Sequence, residues 1–160
     1  MLGKLLWKFV ERFSIPCRVI HTNGDPYLSR FYLWDKWREY LPGVFLHYFH
    51  RGDDDRDLHN HPWSWAFSVI LSGGYREERL EDEQGNILTR TFLPGAFNFI
   101  RLSTYHRVDL LRPEEGCWSL FIAGPRARTW GFRRRETGEF VDWRNYVVSR
   151  GDTPMAEEVS

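Results

Sequence analysis

The segment Asp57-Leu58-His59-Asn60-His61-Pro62-Trp63 is the most informative part of this 160-residue chain. His59 and His61 stand two positions apart, and residues at that spacing on a β-strand point to the same face of the sheet. Two imidazoles on one face are suited to binding one divalent metal ion. Pro62 lacks a backbone N–H, so we expect regular strand pairing to end directly after the two histidines.

A third histidine, His106, extends this pattern. The dipeptide Pro94-Gly95 predicts a turn that opens the segment leading to His106, and Val108 shares the strand face of His106. Two histidines from one strand and one from a later strand form a three-nitrogen set that leaves open metal positions for water, oxygen or substrate. The competing interpretation is that the three are separate polar residues of a β-barrel with no shared ligand.

Short apolar segments separated by turn residues surround these histidines. The sequence contains no helical patterns of 10–15 residues between them, and 17% of its residues are aromatic, which favours strands. This spacing predicts an all-β sandwich or barrel. The predicted strands are 27–34, 44–49, 65–71, 75–80, 87–92, 96–102, 106–111 and 117–123.

The combined motifs resemble the cupin superfamily. His59-Asn60-His61 matches the histidine pair of the first cupin motif, Gly73 matches its closing glycine, and Pro94-Gly95 with His106 resembles the second motif. The resemblance implies a double-stranded β-helix, the cupin jelly-roll barrel, with a short N-terminal helix. His-x-His-Pro-Trp, Gly-Gly-Tyr, Gly-Pro-Arg and Trp-Gly-Phe are also similar to a group of small uncharacterised bacterial and phage cupins.

The sequence departs from the cupin pattern at the fourth metal ligand. The usual glutamate would fall at Trp65 or Ala66, and neither side chain can bind a metal. The site therefore resembles the three-histidine variant of cysteine-dioxygenase-like cupins. Alternatively, Asp57 or Glu77 supplies a fourth ligand or supports the histidines from behind. We expect Trp63 and Trp65 to form walls of the pocket.

The resemblance implies a non-haem iron(II) enzyme of the dioxygenase type that acts on a small molecule. Zinc, manganese or nickel in the same site would suit an isomerase or a lyase. The alternative to an enzyme is a non-catalytic cupin that binds a small ligand. No catalytic residue beyond the metal ligands is indicated, and the sequence does not name the substrate.

Net charge and composition give no sign of a nucleic-acid or membrane protein. Lys and Arg total 22, as do Asp and Glu, so a net charge of zero gives no general attraction to nucleic acid. We expect the arginines of 126–135 to pair with the acidic segments 53–57 and 77–83, although they could also bind an anionic substrate group or nucleic acid. Without a signal peptide or an apolar run of about 20 residues, we expect a cytoplasmic protein that does not cross a membrane.

The N-terminal segment 1–13 predicts a short amphipathic helix. We expect it to pack against a single domain that spans residues 1–150, with a barrel core over 27–123 and a flexible tail over 151–160. A helix that contacts a partner or a membrane surface is the alternative. Because the chain has more large aromatics than one small core absorbs, we also expect a homodimer. The predicted apolar face comprises Leu2, Leu5, Leu6, Phe9 and Phe13.

Overall fold

The computed structural model of the chain describes residues 2–22, 24–35, 41–53 and 57–149. Its helices are α1 (Leu2–Arg12) and α2 (Trp143–Ser149). Its strands are β1 (Cys17–Thr22), β2 (Asp25–Trp34), β3 (Gly43–Phe49), β4 (Leu58–His59), β5 (Trp65–Ser72), β6 (Tyr75–Leu80), β7 (Ile87–Phe92), β8 (Phe97–Arg101), β9 (His106–Leu110), β10 (Cys117–Ala123), β11 (Gly131–Arg133) and β12 (Phe140–Asp142). The predicted tail 151–160 lies outside the described residues.

The strands form two six-stranded antiparallel sheets. Sheet A has the order β1-β2-β3-β10-β5-β8, and sheet B has the order β12-β11-β4-β9-β6-β7. Several strands that are neighbours in a sheet lie far apart in the sequence, such as β3 and β10 or β4 and β9, as in a jelly-roll barrel. The predicted all-β class is confirmed, and the strands β6, β7 and β10 have the predicted bounds.

Three short strands were not predicted from the sequence. β1 extends sheet A beyond β2, while β11 and β12 extend sheet B. β11 and β12 have three residues each, too few to show an alternating pattern. β11 nevertheless positions the predicted site, because its Phe132 pairs with His59 of β4.

The interior of the barrel is filled by alternate residues from both sheets. Their small and large side chains interlock, which is the close packing expected of a protein core. One buried cluster contains Phe45, Trp63, Ala66, Ile100, Phe121 and Ala123, and a second contains Ile70, Tyr75, Phe92, Val108, Leu110 and Cys117.

The helix α1 packs on the outer face of sheet A. Trp7 contacts Trp118 with ring centroids 5.0 Å apart, and Val10 is buried in the same cluster. The expectation that α1 packs against its own domain is confirmed. Neither described helix is both long and apolar enough to span a bilayer.

The predicted apolar face of α1 was wrong in detail. Leu6 packs against the sheet together with Trp7 and Val10, whereas Leu5 and Phe13 are 54% and 64% exposed. α1 carries apolar side chains on more than one side, and the pattern alone could not tell which side faces the barrel. The bulky Trp7 determines the packed side because the aromatic cluster on sheet A accommodates its ring.

Gly73, which closes the first motif, is required by the backbone. Its φ is +80°, a conformation that residues with a Cβ rarely adopt, and a Cβ there would collide with the carbonyl oxygen of Gly116. The glycine thus permits a tight turn between β5 and β6, the strand that carries Glu77.

Candidate metal centre

The structure brings His59, His61 and His106 together. His59 ends β4 and pairs in register with His106, the first residue of β9, while His61 follows two residues after His59. Their potential ligand atoms all lie within 4.8 Å of one another. Among the described residues, this is the one group of three or more metal-ligating side chains that meets this spacing.

The three imidazoles form a compact triangle. The ring centroids of His59 lie 4.7 Å from those of His106 and 5.0 Å from those of His61. His61 Nε2 and His106 Nε2 face each other at 2.8 Å. His106 is buried and the other two are half-buried, so the group is partly accessible from solvent. Three imidazole nitrogens fit a divalent ion such as iron, zinc, manganese or nickel.

Burial keeps two of these imidazoles neutral at pH 7. It lowers the pKa of His59 to about 4, and the nearby Asp53 only partly opposes this effect. Burial also holds the pKa of His61 well below 6.5, and the neighbouring His106 lowers it further. Neutral imidazoles have a free lone pair, which is the form that binds a metal.

Glu77 supports His106 from behind. His106 Nδ1–H donates to Glu77 Oε1 at 2.5 Å, and the carboxylate is fully buried. Asn98 Nδ2 and the Arg79 guanidinium also donate to Glu77, both at 3.0 Å. Burial by itself raises the pKa of Glu77, but the contacts with His106 and Arg79 outweigh it and lower the pKa to about 2. The carboxylate thereby fixes the proton on Nδ1 and leaves Nε2 of His106 for a metal.

A second carboxylate, Asp53, lies behind His59. Its Oδ2 is 3.7 Å from His59 Nδ1. Tyr27 O–H and the backbone N–H of Val108 both donate to this carboxylate, at 2.5 and 2.6 Å. The sequence predicts that the acidic segment 53–57 pairs with arginines of 126–135, and it predicts no role for Asp53 at the three histidines. A spacing of six residues would place Asp53 and His59 on one face of a continuous strand, but β4 begins only at Leu58, so strand periodicity does not bring the two side chains together.

Asp57 is not part of the cluster. Its Oδ1 accepts from the backbone N–H of Arg135 at 3.0 Å, and its Oδ2 accepts from Tyr146 O–H at 2.9 Å. The shared strand face predicted for Asp57 and His59 fails because β4 begins only at Leu58. Asp57 instead anchors the C-terminal helix α2, which carries Tyr146.

We expect Asp57→Ala to destabilise the fold without removing a metal ligand. Tyr146 O–H would lose its buried acceptor, so the free energy of unfolding should fall by about 1–3 kcal/mol. Denaturant unfolding measures this loss, and Asp25→Ala, at an exposed aspartate, is the matched control. A folded Asp57→Ala protein that no longer takes up metal would contradict this assignment.

The two tryptophans predicted as pocket walls occupy different positions. The Trp63 ring stacks on His61 with centroids 5.2 Å apart, so it forms a wall beside the histidines. Trp65 precedes Ala66 on β5, and Ala66 is the one that faces the core. The Trp65 indole lies over Gly124 and does not border the histidines.

The arginine-rich segment pairs in part as expected. Arg135 forms an ion pair with Glu78 of β6, which confirms the predicted contact with the segment 77–83. Arg133 donates to the backbone carbonyl of Glu83 at 3.4 Å. These contacts hold the end of sheet B that covers His59.

We expect Glu77→Gln to weaken metal binding while the fold stays intact. The amide is isosteric but lacks the charge that orients His106, and loss of such a supporting carboxylate typically costs about 10–100-fold in metal affinity. A competition titration with a chromophoric chelator measures this change. Glu78→Gln, the next residue on β6, is the control and should keep the affinity of the unmodified protein. Equal affinities for both variants would show that Glu77 does not support the site.

Comparison with known proteins yields likeness in structure alone. No protein-family profile matches the sequence, and no curated protein matches it. Fe(II)-HppE with the alternative substrate (S)-1-HPP aligns with a TM-score of 0.56 and 13% identity, over 69% of this chain and 56% of that chain. Hydroxypropylphosphonic acid epoxidase from S. wedmorenis aligns with a TM-score of 0.52 and 15% identity, over 67% of this chain and 55% of that chain.

Oxalate decarboxylase from Bacillus subtilis is also similar. It aligns with a TM-score of 0.53 and 16% identity, over 72% of this chain and 29% of that chain. The present chain thus matches just over half the length of the first two proteins and under a third of the decarboxylase. Likeness at these identities establishes the fold, while activity has to be argued from the site.

Proposed function

We propose that this chain, which has the cupin fold, is a metal-dependent enzyme that acts on a small organic molecule. In this proposal His59, His61 and His106 bind one divalent ion. The observation that carries it is the convergence of the three imidazoles within 4.8 Å. The low pKa of His59 and His61 adds support, because both ligands are ready to bind at neutral pH.

Iron(II) is the metal that we favour. Bound iron(II) would supply the oxygen chemistry of a non-haem dioxygenase, and a three-nitrogen set leaves open positions for it. The similar structures of HppE are described as iron(II) forms. Zinc, manganese and nickel suit the same donor set.

The chain's own residues prepare the site for this chemistry. Glu77 holds the proton on His106 Nδ1, and Asp53 lies on the Nδ1 side of His59. Trp63 stacks on His61, and Phe121 packs against Trp63, so aromatic rings exclude water from the barrel side. Exclusion of water strengthens every electrostatic interaction that a bound substrate makes there.

A metal-dependent lyase or isomerase is the second candidate. It is supported by the fold shared with oxalate decarboxylase, a protein described with Mn(II) centres. The two candidates differ in their need for oxygen, since a lyase or isomerase has no net consumption of O₂.

The test combines metal analysis with oxygen consumption. Purified protein is incubated anaerobically with Fe(II), Mn(II) or Zn(II), desalted, and assayed for metal and for O₂ uptake with small organic acids, alcohols and thiols. We expect about one ion per chain and substrate-dependent O₂ uptake in the iron form. Turnover by the manganese form without O₂ uptake would favour the lyase or isomerase. A protein that takes up none of the three metals would overturn the enzyme proposal in favour of a non-catalytic cupin.

A further inference from the structure

A row of polar side chains crosses the inner face of sheet A. Arg30 of β2 pairs in register with His47 of β3, and His47 pairs with Ser119 of β10. His47 and Ser119 are only 3% and 1% exposed. His47 stands two positions from Phe45, and Ser119 stands two positions from Phe121. Since both phenylalanines belong to the core cluster, the side chains of His47 and Ser119 also face the inside of the barrel.

The hydrogen bond between Arg30 and His47 defines the protonation of the imidazole. Arg30 Nε–H donates to His47 Nε2 at 3.1 Å. A guanidinium has no acceptor, so Nε2 must offer its lone pair and the neutral ring carries its proton on Nδ1. Burial first, and then the charge of Arg30, hold the pKa of His47 well below 6.5, in agreement with a neutral ring. Phe121 stacks on the ring with centroids 4.6 Å apart and fixes its orientation.

Three buried polar groups in this region lack a partner. Within the part of the chain that the structure describes, His47 Nδ1, Ser119 Oγ and Trp63 Nε1 make no hydrogen bond. An unpaired buried donor costs about 1–3 kcal/mol, and buried polar groups of native proteins are nearly always satisfied. Two of these groups are N–H donors and the third is a hydroxyl that can donate. All three can therefore be satisfied by one kind of ligand group, an oxygen acceptor.

Arg30, His47 and Ser119 together with Trp63 form what we call the donor row, and it lies beside the candidate metal centre. The Arg30 guanidinium carbon lies 5.6 Å from the ring centroid of Trp63, and the Trp63 ring stacks on His61. Arg30 and His47 are also near enough to His61 to lower its pKa. A small ligand on the donor row would thus lie next to the three histidines.

We propose that the donor row of Arg30, His47, Ser119 and Trp63 binds the carboxylate of a small organic acid, the substrate of the neighbouring metal centre. This inference rests on the proposed function for its link to catalysis. One guanidinium and a neutral imidazole balance a single negative charge, which a carboxylate carries and a phosphate dianion exceeds. The aromatic rings of Phe45, Phe121 and Trp63 suit the short apolar part of such an acid.

Matched pairs of acids and amides test this proposal. Binding of acetate and propionate is compared with that of acetamide and propionamide by ligand-detected NMR, on metal-free and on zinc-loaded protein. We expect the metal-free protein to bind each acid about tenfold more tightly than its amide. The free energy of one charge-assisted hydrogen bond corresponds to roughly a tenfold difference in affinity. Equal binding of acid and amide to a folded metal-free protein would overturn the proposal.

Two pairs of variants separate charge from packing. Arg30→Leu should abolish the preference for the acid, while Arg30→Lys should keep part of it because the positive charge remains. His47→Leu should weaken acid binding, while His47→Asn, whose amide N–H can replace Nδ1–H, should restore part of it. Circular dichroism confirms that each variant is folded. An acid preference that survives Arg30→Leu unchanged would also overturn the proposal.

Metal analysis distinguishes failure of this inference from failure of the proposed function. Metal uptake without any acid preference would refute the donor row alone. An acid preference in a protein that binds no metal would refute the enzyme and leave a carboxylate-binding barrel.

Discussion

Replacing His106 by alanine is expected to reduce metal affinity by more than about 100-fold, because loss of a ligand exceeds the 10–100-fold effect of losing a supporting residue. His106 contributes a buried nitrogen that faces His61 Nε2 at 2.8 Å, so its removal leaves at most two ligands. His59→Ala and His61→Ala should have comparable effects. Anaerobic titration with Fe(II) and metal analysis of the desalted protein measure the change.

Histidines outside the cluster are the controls for this experiment. His50 bonds to Ser29 Oγ on the other side of sheet A, and His50→Ala should retain full metal content. His47→Ala should retain it as well. Because His106→Ala leaves the buried carboxylate of Glu77 without its imidazole, His106→Gln is a second variant that keeps a polar side chain there. Full metal content in a folded His106→Gln protein would contradict the three-histidine centre.

Trp118→Ala is expected to cause the largest loss of stability, about 3–5 kcal/mol in the free energy of unfolding. Trp118 is 2% exposed and joins the helix α1 to sheet A. Its ring contacts Trp7 and Tyr48 with centroids 5.0 Å apart and stacks on Phe31. A typical domain has only about 5–15 kcal/mol of stability, so this variant should be close to unfolding.

Denaturant unfolding monitored by circular dichroism measures this effect. Trp34→Ala is the matched control, because Trp34 is 49% exposed and its loss should change the free energy of unfolding by about 0.5 kcal/mol or less. Similar losses for both variants would mean that the aromatic cluster under α1 contributes little to the stability of the barrel.

Most of the barrel could be predicted from local sequence patterns. The strands β6 and β7 are joined by a turn with clear turn residues, and β10 is bounded by Gly116 and Gly124, so their ends are marked in the sequence. The convergence of His59, His61 and His106 could be predicted because a double-stranded β-helix brings the two motifs together. The strand ends are thus predicted by short segments of sequence, and the meeting of the histidines is predicted by the fold.

Other features depend on which distant residues become neighbours. Arg30 and His47 meet through the register between β2 and β3, and Ser119 joins them through β10. No spacing along the chain encodes this row, and His47 by itself is an ordinary histidine of a strand. The same limit explains why Asp57 was considered as a fourth ligand or a support of the histidines, since its partners Arg135 and Tyr146 lie 78 and 89 residues further along the chain.

The two-residue strand β4 has a consequence for the order of events during synthesis. β4 is held only by pairing with β9 on one side and β11 on the other, so His59 has no strand partner until these later segments exist. Contacts between residues so distant in sequence slow folding, because long loops must close before the pairing stabilises them. A ribosome-bound chain that ends before Arg133 lacks half of this support. We therefore expect any metal that the three histidines bind to enter late, after β11 has been synthesised.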